Sequence, residues 1–293
     1  MSEIAMKVRE MFTKGDQERD AGNTTPEDVE RFENIQYGPD EKWHVLDVYR
    51  PKGVKGKLPV IISYHGGGWV YGNKDVYQWY TMSLAQHSFA VINYTYRLAP
   101  EFVLPAPLED CDRVVKWMLD NAGEYGFDTE HVFAVGDSAG AHGLSLYCNI
   151  LSNPSYASKF EFKAPEGFMF KAVALNCGAY RITLKDEKDL TTALMYDYLP
   201  DKESEEELDL MASVNYITSK FPPCYVMSCD GDFLKTEMGI IVPALLKENV
   251  PFVLRFFKGE KEPLPHVFHC NIKLPEAKLC NDEECAFFKE FIR

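Results

Sequence analysis

Ser138 lies in Gly136-Asp137-Ser138-Ala139-Gly140, between the apolar run 131–135 and a helix-like stretch over 141–151. A serine flanked by small residues between a strand and a helix implies a backbone turn sharp enough to leave its Oγ exposed. Glycines at both ends relieve the crowding that such a turn creates. The plain alternative is a Gly/Ser loop that caps a helix with Asp137 or Ser138. Upstream, three successive glycines stand in His65-Gly66-Gly67-Gly68. Without Cβ interference their backbone N–H groups can turn inward and form a pocket for negative charge. Downstream come two carboxylates, Asp230 and Asp232, and two histidines, in Pro265-His266-Val267-Phe268-His269-Cys270. Asp230 beside Gly231 also reads as a favoured turn pair. An activated hydroxyl, an imidazole oriented by a carboxylate and donors for a developing oxyanion are together what acyl transfer from an ester requires.

The other histidines have structural readings. His44, His87 and His131 precede the serine turn and read as surface or strand-edge residues, and His65 holds the glycine loop by hydrogen bonding. His142, four residues past the serine on its helix, does not reach Oγ from the correct side.

The elements that must position these groups are legible along the chain. Leu58–Tyr64 and Phe89–Tyr94 are compact apolar runs, the profile of strands covered on both faces. Further strands are expected at 32–37, 43–49, 132–135, 170–175, Cys224–Cys229 and Phe252–Phe257, with helices at 110–119, 236–248 and 282–292. An N-terminal helix covers 4–12, and Thr25-Pro26-Glu27-Asp28 reads as a helix N-cap with proline at the first helical position. Alternating strands and helices predict an α/β fold with a mostly parallel central sheet and helices on both faces. From 180 to 220 the alternation stops, and the acidic run 201–209 reads as a solvated helix face. Residues 1–293 read as one α/β domain, with the helical arm 1–30 and the insertion 180–220 as lid elements.

Composition narrows the function. With a net charge of −14 and no basic cluster, nucleic acid and anionic membrane surfaces are not expected partners. The N-terminus lacks a signal-peptide apolar region, and no run of about 18 apolar residues is present to span a bilayer. Eight scattered cysteines then read as free thiols in a reducing cytoplasm. Cys280 and Cys285 with His266 and His269 make a poor zinc set, because the spacing is loose and the context helical. No metal is expected, and the chemistry needs no cofactor.

Taken together, His65-Gly66-Gly67-Gly68-Trp69, Tyr96-Arg97-Leu98-Ala99-Pro100-Glu101, Gly136–Gly140 followed by His142, and Asp232-Phe233-Leu234 resemble the hormone-sensitive-lipase-like family of α/β-hydrolases, which includes bacterial acetyl esterases and carboxylesterases. The resemblance spans residue 43 to the C-terminus. It implies an α/β-hydrolase fold, with Ser138 as nucleophile and the backbone N–H groups of Gly67, Gly68 and Ala139 as oxyanion donors. Tyr96–Glu101 would be a structural turn. The family places its acid before a residue pair ending in leucine, which selects Asp232 over Asp230. Its histidine stands in His-Gly-Phe, which selects His266 over His269, although Val267 replaces the glycine and valine resists positive φ.

The implied function is a serine carboxylesterase working through an acyl-enzyme on a small-molecule ester. Trp69 and Tyr71, directly after the glycines, are expected to line the acyl or alcohol pocket and to favour acetyl to butyryl groups. Acetylated carbohydrates and aryl esters both suit aromatic walls. A homo-oligomer is compatible with this reading. Two alternatives stand beside it: an arylformamidase or other amidase using the same triad, and a non-catalytic ligand receptor on the same fold.

Overall fold

Strand formation follows the apolar runs closely. The computed structural model describes residues 2–186, 189–201 and 204–292. Its eight strands are β1 (Val29–Gln36), β2 (Val45–Pro51), β3 (Leu58–Tyr64), β4 (Ala90–Tyr94), β5 (Phe127–Asp137), β6 (Val173–Asn176), β7 (Cys224–Cys229) and β8 (Phe252–Phe257). They form one sheet in the order β1-β2-β4-β3-β5-β6-β7-β8. β1 and β2 are antiparallel to their neighbours, whereas β4, β3 and β5 to β8 are parallel. All five residues of β4 and all six of β7 are buried, as strands with helices on both faces must be.

The helices are α1 (Glu3–Asp20), α2 (Lys74–Ala85), α3 (Ala106–Asp120), the single turn α4 (Ala122–Tyr125), α5 (Ala139–Ser152), the single turn α6 (Pro154–Ala157), α7 (Leu190–Tyr198), α8 (Glu205–Met211), α9 (Met238–Lys247) and α10 (Pro275–Lys289). α1 runs eight residues past the predicted stretch. Its second half has little apolar periodicity and is held from outside. Arg19 donates to the Val76 carbonyl at 2.9 Å and the Tyr71 hydroxyl donates to Asp16 at 2.8 Å.

The predicted helix start at Thr25–Asp28 is corrected. These residues make an irregular turn into β1, where Val29 already pairs with Pro51. Sheet pairing that close leaves no room for a helix, and Thr25 instead accepts a hydrogen bond from Arg31. The closing helix also begins seven residues earlier than its periodicity suggested, with Pro275 in its first turn, where a missing N–H costs nothing. In the acidic run, Glu205, Glu206 and Glu207 form the first turn of α8 and Ser204 caps it, so negative charge meets the positive end of the helix. Lys202 and Glu203 of that run lie outside the described residues.

His44, expected at a surface or strand edge, is instead buried. Its Nε2 lies 2.9 Å from Asp110, which also receives the Arg97 guanidinium at 2.7 Å and the Arg97 N–H at 2.8 Å. Burial alone would raise the Asp110 carboxyl, but hydrogen bonds from His44 and Arg97 hold it below its ordinary range. This network pins the turn 96–101 to α3.

Candidate active site

The ends of four parallel strands converge on one point. In open α/β sheets, binding crevices form at the carboxyl ends of the strands. The glycine loop follows β3, Ser138 follows β5, Asp232 follows β7 and His266 follows β8.

Ser138 sits at the β5–α5 junction with φ 53° and ψ −119°. No side-chain cap bond forms there, so this serine is not spent on capping the helix. The turn is tight because its surroundings press on it. A Cβ at Gly136 would come within 2.7 Å of the Gly140 carbonyl oxygen, and a Cβ at Gly140 within 2.1 Å of the Tyr64 carbonyl oxygen. The Ser138 N–H donates to the Asn176 carbonyl at 2.9 Å, tying the turn to the end of β6.

Ser138 Oγ lies 2.9 Å from His266 Nε2, and His266 Nδ1 lies 2.6 Å from Asp232 Oδ1. The carboxylate accepts from the imidazole, so Nδ1 carries the hydrogen and Nε2 is left to accept from the serine. Asp232 is almost wholly buried. Its Oδ2 accepts from the Ser228 hydroxyl at 2.7 Å, and Oδ1 also accepts from the Leu234 N–H at 2.8 Å. Burial pushes this carboxyl up, yet hydrogen bonds from His266, Ser228 and Leu234 outweigh it and keep it below its ordinary range. Asp230 is occupied elsewhere, accepting from the Leu264 N–H at 2.8 Å.

The glycine loop faces the same serine. Gly66 is bound inward, its N–H donating to Tyr77 and to Asp137. Gly67 and Gly68 have φ of 120° and 59°, and among the described residues their N–H groups have no protein acceptor. The N–H of Ala139 opens α5, where no preceding turn supplies a carbonyl. A developing oxyanion between these groups would meet three donors. His65 Nδ1 donates to the Gly66 carbonyl at 2.8 Å, and burial lowers this imidazole to about 4. His142 accepts from the Trp69 indole at 3.2 Å and donates to the Met211 carbonyl at 2.8 Å, so it links the glycine loop to the C-terminal end of α8. Burial lowers it too, to about 4.

Val267 adopts φ 53° and ψ 35°, the left-handed backbone that the family's glycine would adopt freely. His269 is buried behind the site, its pKa lowered to about 3 by burial and by the charges of His266 and Arg19. Asp137, beside the serine, is buried and raised to about 6, although the Tyr77 hydroxyl donates to it at 2.7 Å.

A cavity of about 800 Å³ opens over Ser138 and His266. Trp69 and Tyr71 line it, as do Phe12, Asp16 and Arg19 of α1 and Leu194 of α7. Trp69 is largely buried, and the Tyr71 hydroxyl is engaged by Asp16. Three contributors were missed from the sequence: Ser228 behind the acid, Phe233 against the imidazole, and Glu284. The last accepts from Tyr80 at 2.8 Å and from the Asn176 amide at 2.6 Å. Ser228 and Glu284 lie in no motif, whereas Phe233 stands inside Asp232-Phe233-Leu234; only the tertiary fold sets its ring against the imidazole.

A mostly parallel sheet with a serine on a strained strand–helix turn, facing an imidazole backed by a buried carboxylate, defines an α/β-hydrolase. Residues 46–235 match the BD-FAE family model, well over half of the chain. The chain belongs to that family, within the hormone-sensitive-lipase-like α/β-hydrolases, and is a carboxylic ester hydrolase. It is 29% identical over 246 residues to the versiconal hemiacetal acetate esterase of Dothistroma septosporum, covering 79% of this chain and 73% of that one. It is 30% identical over 239 residues to an arylesterase of Saccharolobus solfataricus, covering 75% and 73%. Esterase B from Lactobacillus rhamnosis has the same fold, with a TM-score of 0.89 at 24% identity over 99% of this chain and 97% of that one.

Proposed function

We propose that this protein is a serine carboxylesterase of short-chain acyl esters, with Ser138, His266 and Asp232 as its catalytic residues. The observation that carries this reading is the unbroken chain from Ser138 Oγ to His266 at 2.9 Å and on to Asp232 at 2.6 Å. His266 Nε2 takes the serine proton as Oγ attacks the ester carbonyl, and Asp232 holds the imidazole's tautomer and stabilises the imidazolium. The N–H groups of Gly67, Gly68 and Ala139 hold the tetrahedral oxyanion. His266 then protonates the leaving alcohol, and water attacks the acyl-enzyme by the same route in reverse.

Acyl groups from acetyl to butyryl fit the crowding at the glycine loop. There a Cβ on Gly68 would already stand 3.2 Å from Leu194, and Trp69 closes the adjacent wall. A relative named for an acetate ester supports the same range. Residues of α1 and of the segment before α7 line the cavity, which supports a lid made from the N-terminal arm and the 180–220 insertion. Eight free, buried cysteines support a cytoplasmic location.

The test is hydrolysis of p-nitrophenyl acetate, butyrate and decanoate by the purified protein, with Ser138→Ala as control. Turnover of the two short esters, absent in the variant, is expected. Residual hydrolysis by Ser138→Ala, or preference for decanoate, sinks the proposal. Acetanilide in the same assay separates it from an amidase.

A further inference from the structure

The ring of Phe233 covers one face of the His266 imidazole, with centroids 4.3 Å apart and planes at 45°. Phe233 lines the cavity over Ser138 and, at 69% exposure, is the most exposed large apolar side chain among the described residues. Its outward placement is built in. Asp232 Oδ1 accepts from the Leu234 N–H two residues on, an Asx turn that fixes the backbone on both sides of Phe233.

A lone exposed ring is commonplace on protein surfaces; here the direction of proton transfer gives it meaning. When the tetrahedral intermediate collapses, the bond from the acyl carbon to the alcohol oxygen breaks and its electron pair stays on that oxygen. The oxygen then takes the proton from His266 Nε2, while the acyl carbon remains on Ser138 Oγ. The leaving oxygen must therefore stand about 3 Å from Nε2, and the group it carries must lie alongside the imidazole. The acyl half lies across the broken bond, toward the glycine loop. Phe233 thus borders the alcohol half. Leu234, Thr236, Glu237, Pro265 and Val267 line the same cavity, and the Glu237 carboxylate is already engaged by the N–H groups of Tyr180 and Arg181.

We infer that Phe233 selects the alcohol half of the ester and favours an aromatic alcohol, phenolic or benzylic, over a saturated one of the same size. Two rings gain from edge-to-face or offset contact at centroid separations of about 4.5–7 Å, which an open ring beside the leaving group can supply. The inference rests on the proposed ester hydrolysis.

The test compares benzyl acetate with cyclohexylmethyl acetate, whose alcohols are similar in size and acidity. Wild-type protein is expected to show kcat/KM about tenfold higher for the benzyl ester. Phe233→Leu is expected to remove most of that preference and Phe233→Tyr to retain it. Preference between benzyl acetate and benzyl butyrate should stay unchanged in all three. Equal wild-type rates on the two acetates, or equal losses on both in Phe233→Leu, would overturn the inference and leave Phe233 a packing residue for His266. Failure of the wild type to hydrolyse either ester would overturn the esterase proposal itself, and this inference with it.

Discussion

The hydroxyl of Ser228 donates to Asp232 Oδ2 at 2.7 Å, on the side of the carboxylate opposite His266. It supports the anion that the imidazole needs and fixes the plane in which Oδ1 meets Nδ1. Ser228→Ala removes a hydrogen bond to a charged group, an interaction of about 1.5–3 kcal/mol. The Asp232 carboxyl, now below its ordinary range, should rise. We expect kcat on a short p-nitrophenyl ester to fall about tenfold with KM little changed, and the acid limb of the kcat profile to move to higher pH. An unchanged profile would show that Ser228 only fills space.

The glycines of the loop and of the serine turn should not all respond alike to an added methyl group. At Gly140 a Cβ would meet the Tyr64 and His65 carbonyl oxygens at 2.1 and 2.5 Å, and at Gly67 it would meet the Tyr71 carbonyl oxygen at 2.1 Å. Backbone cannot yield as a side chain does, so either alanine variant should lose about 3 kcal/mol or more, or fail to fold. At Gly68 the neighbour is only the end of Leu194, at 3.2 Å. Gly68→Ala should fold, with a smaller stability loss read by thermal unfolding.

Val267 separates backbone strain from packing. Left-handed backbone costs an L-residue about 1–2 kcal/mol, and glycine escapes most of that. Val267→Ala and Val267→Gly both lose the two methyl groups, glycine losing Cβ as well, and they differ chiefly in this term. The glycine variant should therefore be more stable than the alanine variant by about 1 kcal/mol in denaturant unfolding, the reverse of the order in a helix.

Buried ionisable groups set the pH dependence of stability with opposing signs. His65 and His142, lowered to about 4, and His269, lowered to about 3, are neutral when folded. Their stabilising contribution is complete above about 6.5 and is lost as pH falls toward and through those values. Asp137, raised to about 6, and Glu284, raised to about 7 by burial, act the other way. Their contribution is complete below the ordinary carboxylate range and is lost as pH rises through 6 and 7. Three lowered imidazoles outweigh two raised carboxyls through the acid range, so the melting temperature should be highest near neutral pH and fall as pH drops from about 6.5 toward 4. Glu284→Gln keeps the shape without the titration, and should be stabilised relative to wild type more at pH 8 than at pH 5. A parallel shift at both values would refute the assignment of Glu284.

Much of this arrangement is legible in the sequence because its causes are local. Apolar runs at Leu58–Tyr64, Cys224–Cys229 and Phe252–Phe257 form the strands with those same boundaries. Glycines mark the crowded backbone of the loop after β3 and of the serine turn, and the types and order of Ser138, Asp232 and His266 point to one reaction. Other features depend on approach through space. Thr25–Asp28 carries a helix-start signal, yet sheet pairing at Val29 overrides it. The second half of α1 is helical because Asp16 and Arg19 find partners at Tyr71 and Val76, far along the chain. Ser228 and Glu284 belong to no motif, and a strand end and a helix face carry them to their partners; Phe233 lies within Asp232-Phe233-Leu234, but its contact with His266 is made 33 residues along the chain.

The sequence alone supplies the residue types, their order and the elements that end in them, since a glycine or an apolar run acts on its immediate neighbours. The orientation of His266, the support that Ser228 gives Asp232 and the ring of Phe233 laid against the imidazole come from the tertiary structure. Those are angles and distances of a few ångströms between segments up to 128 residues apart, and no local pattern encodes them.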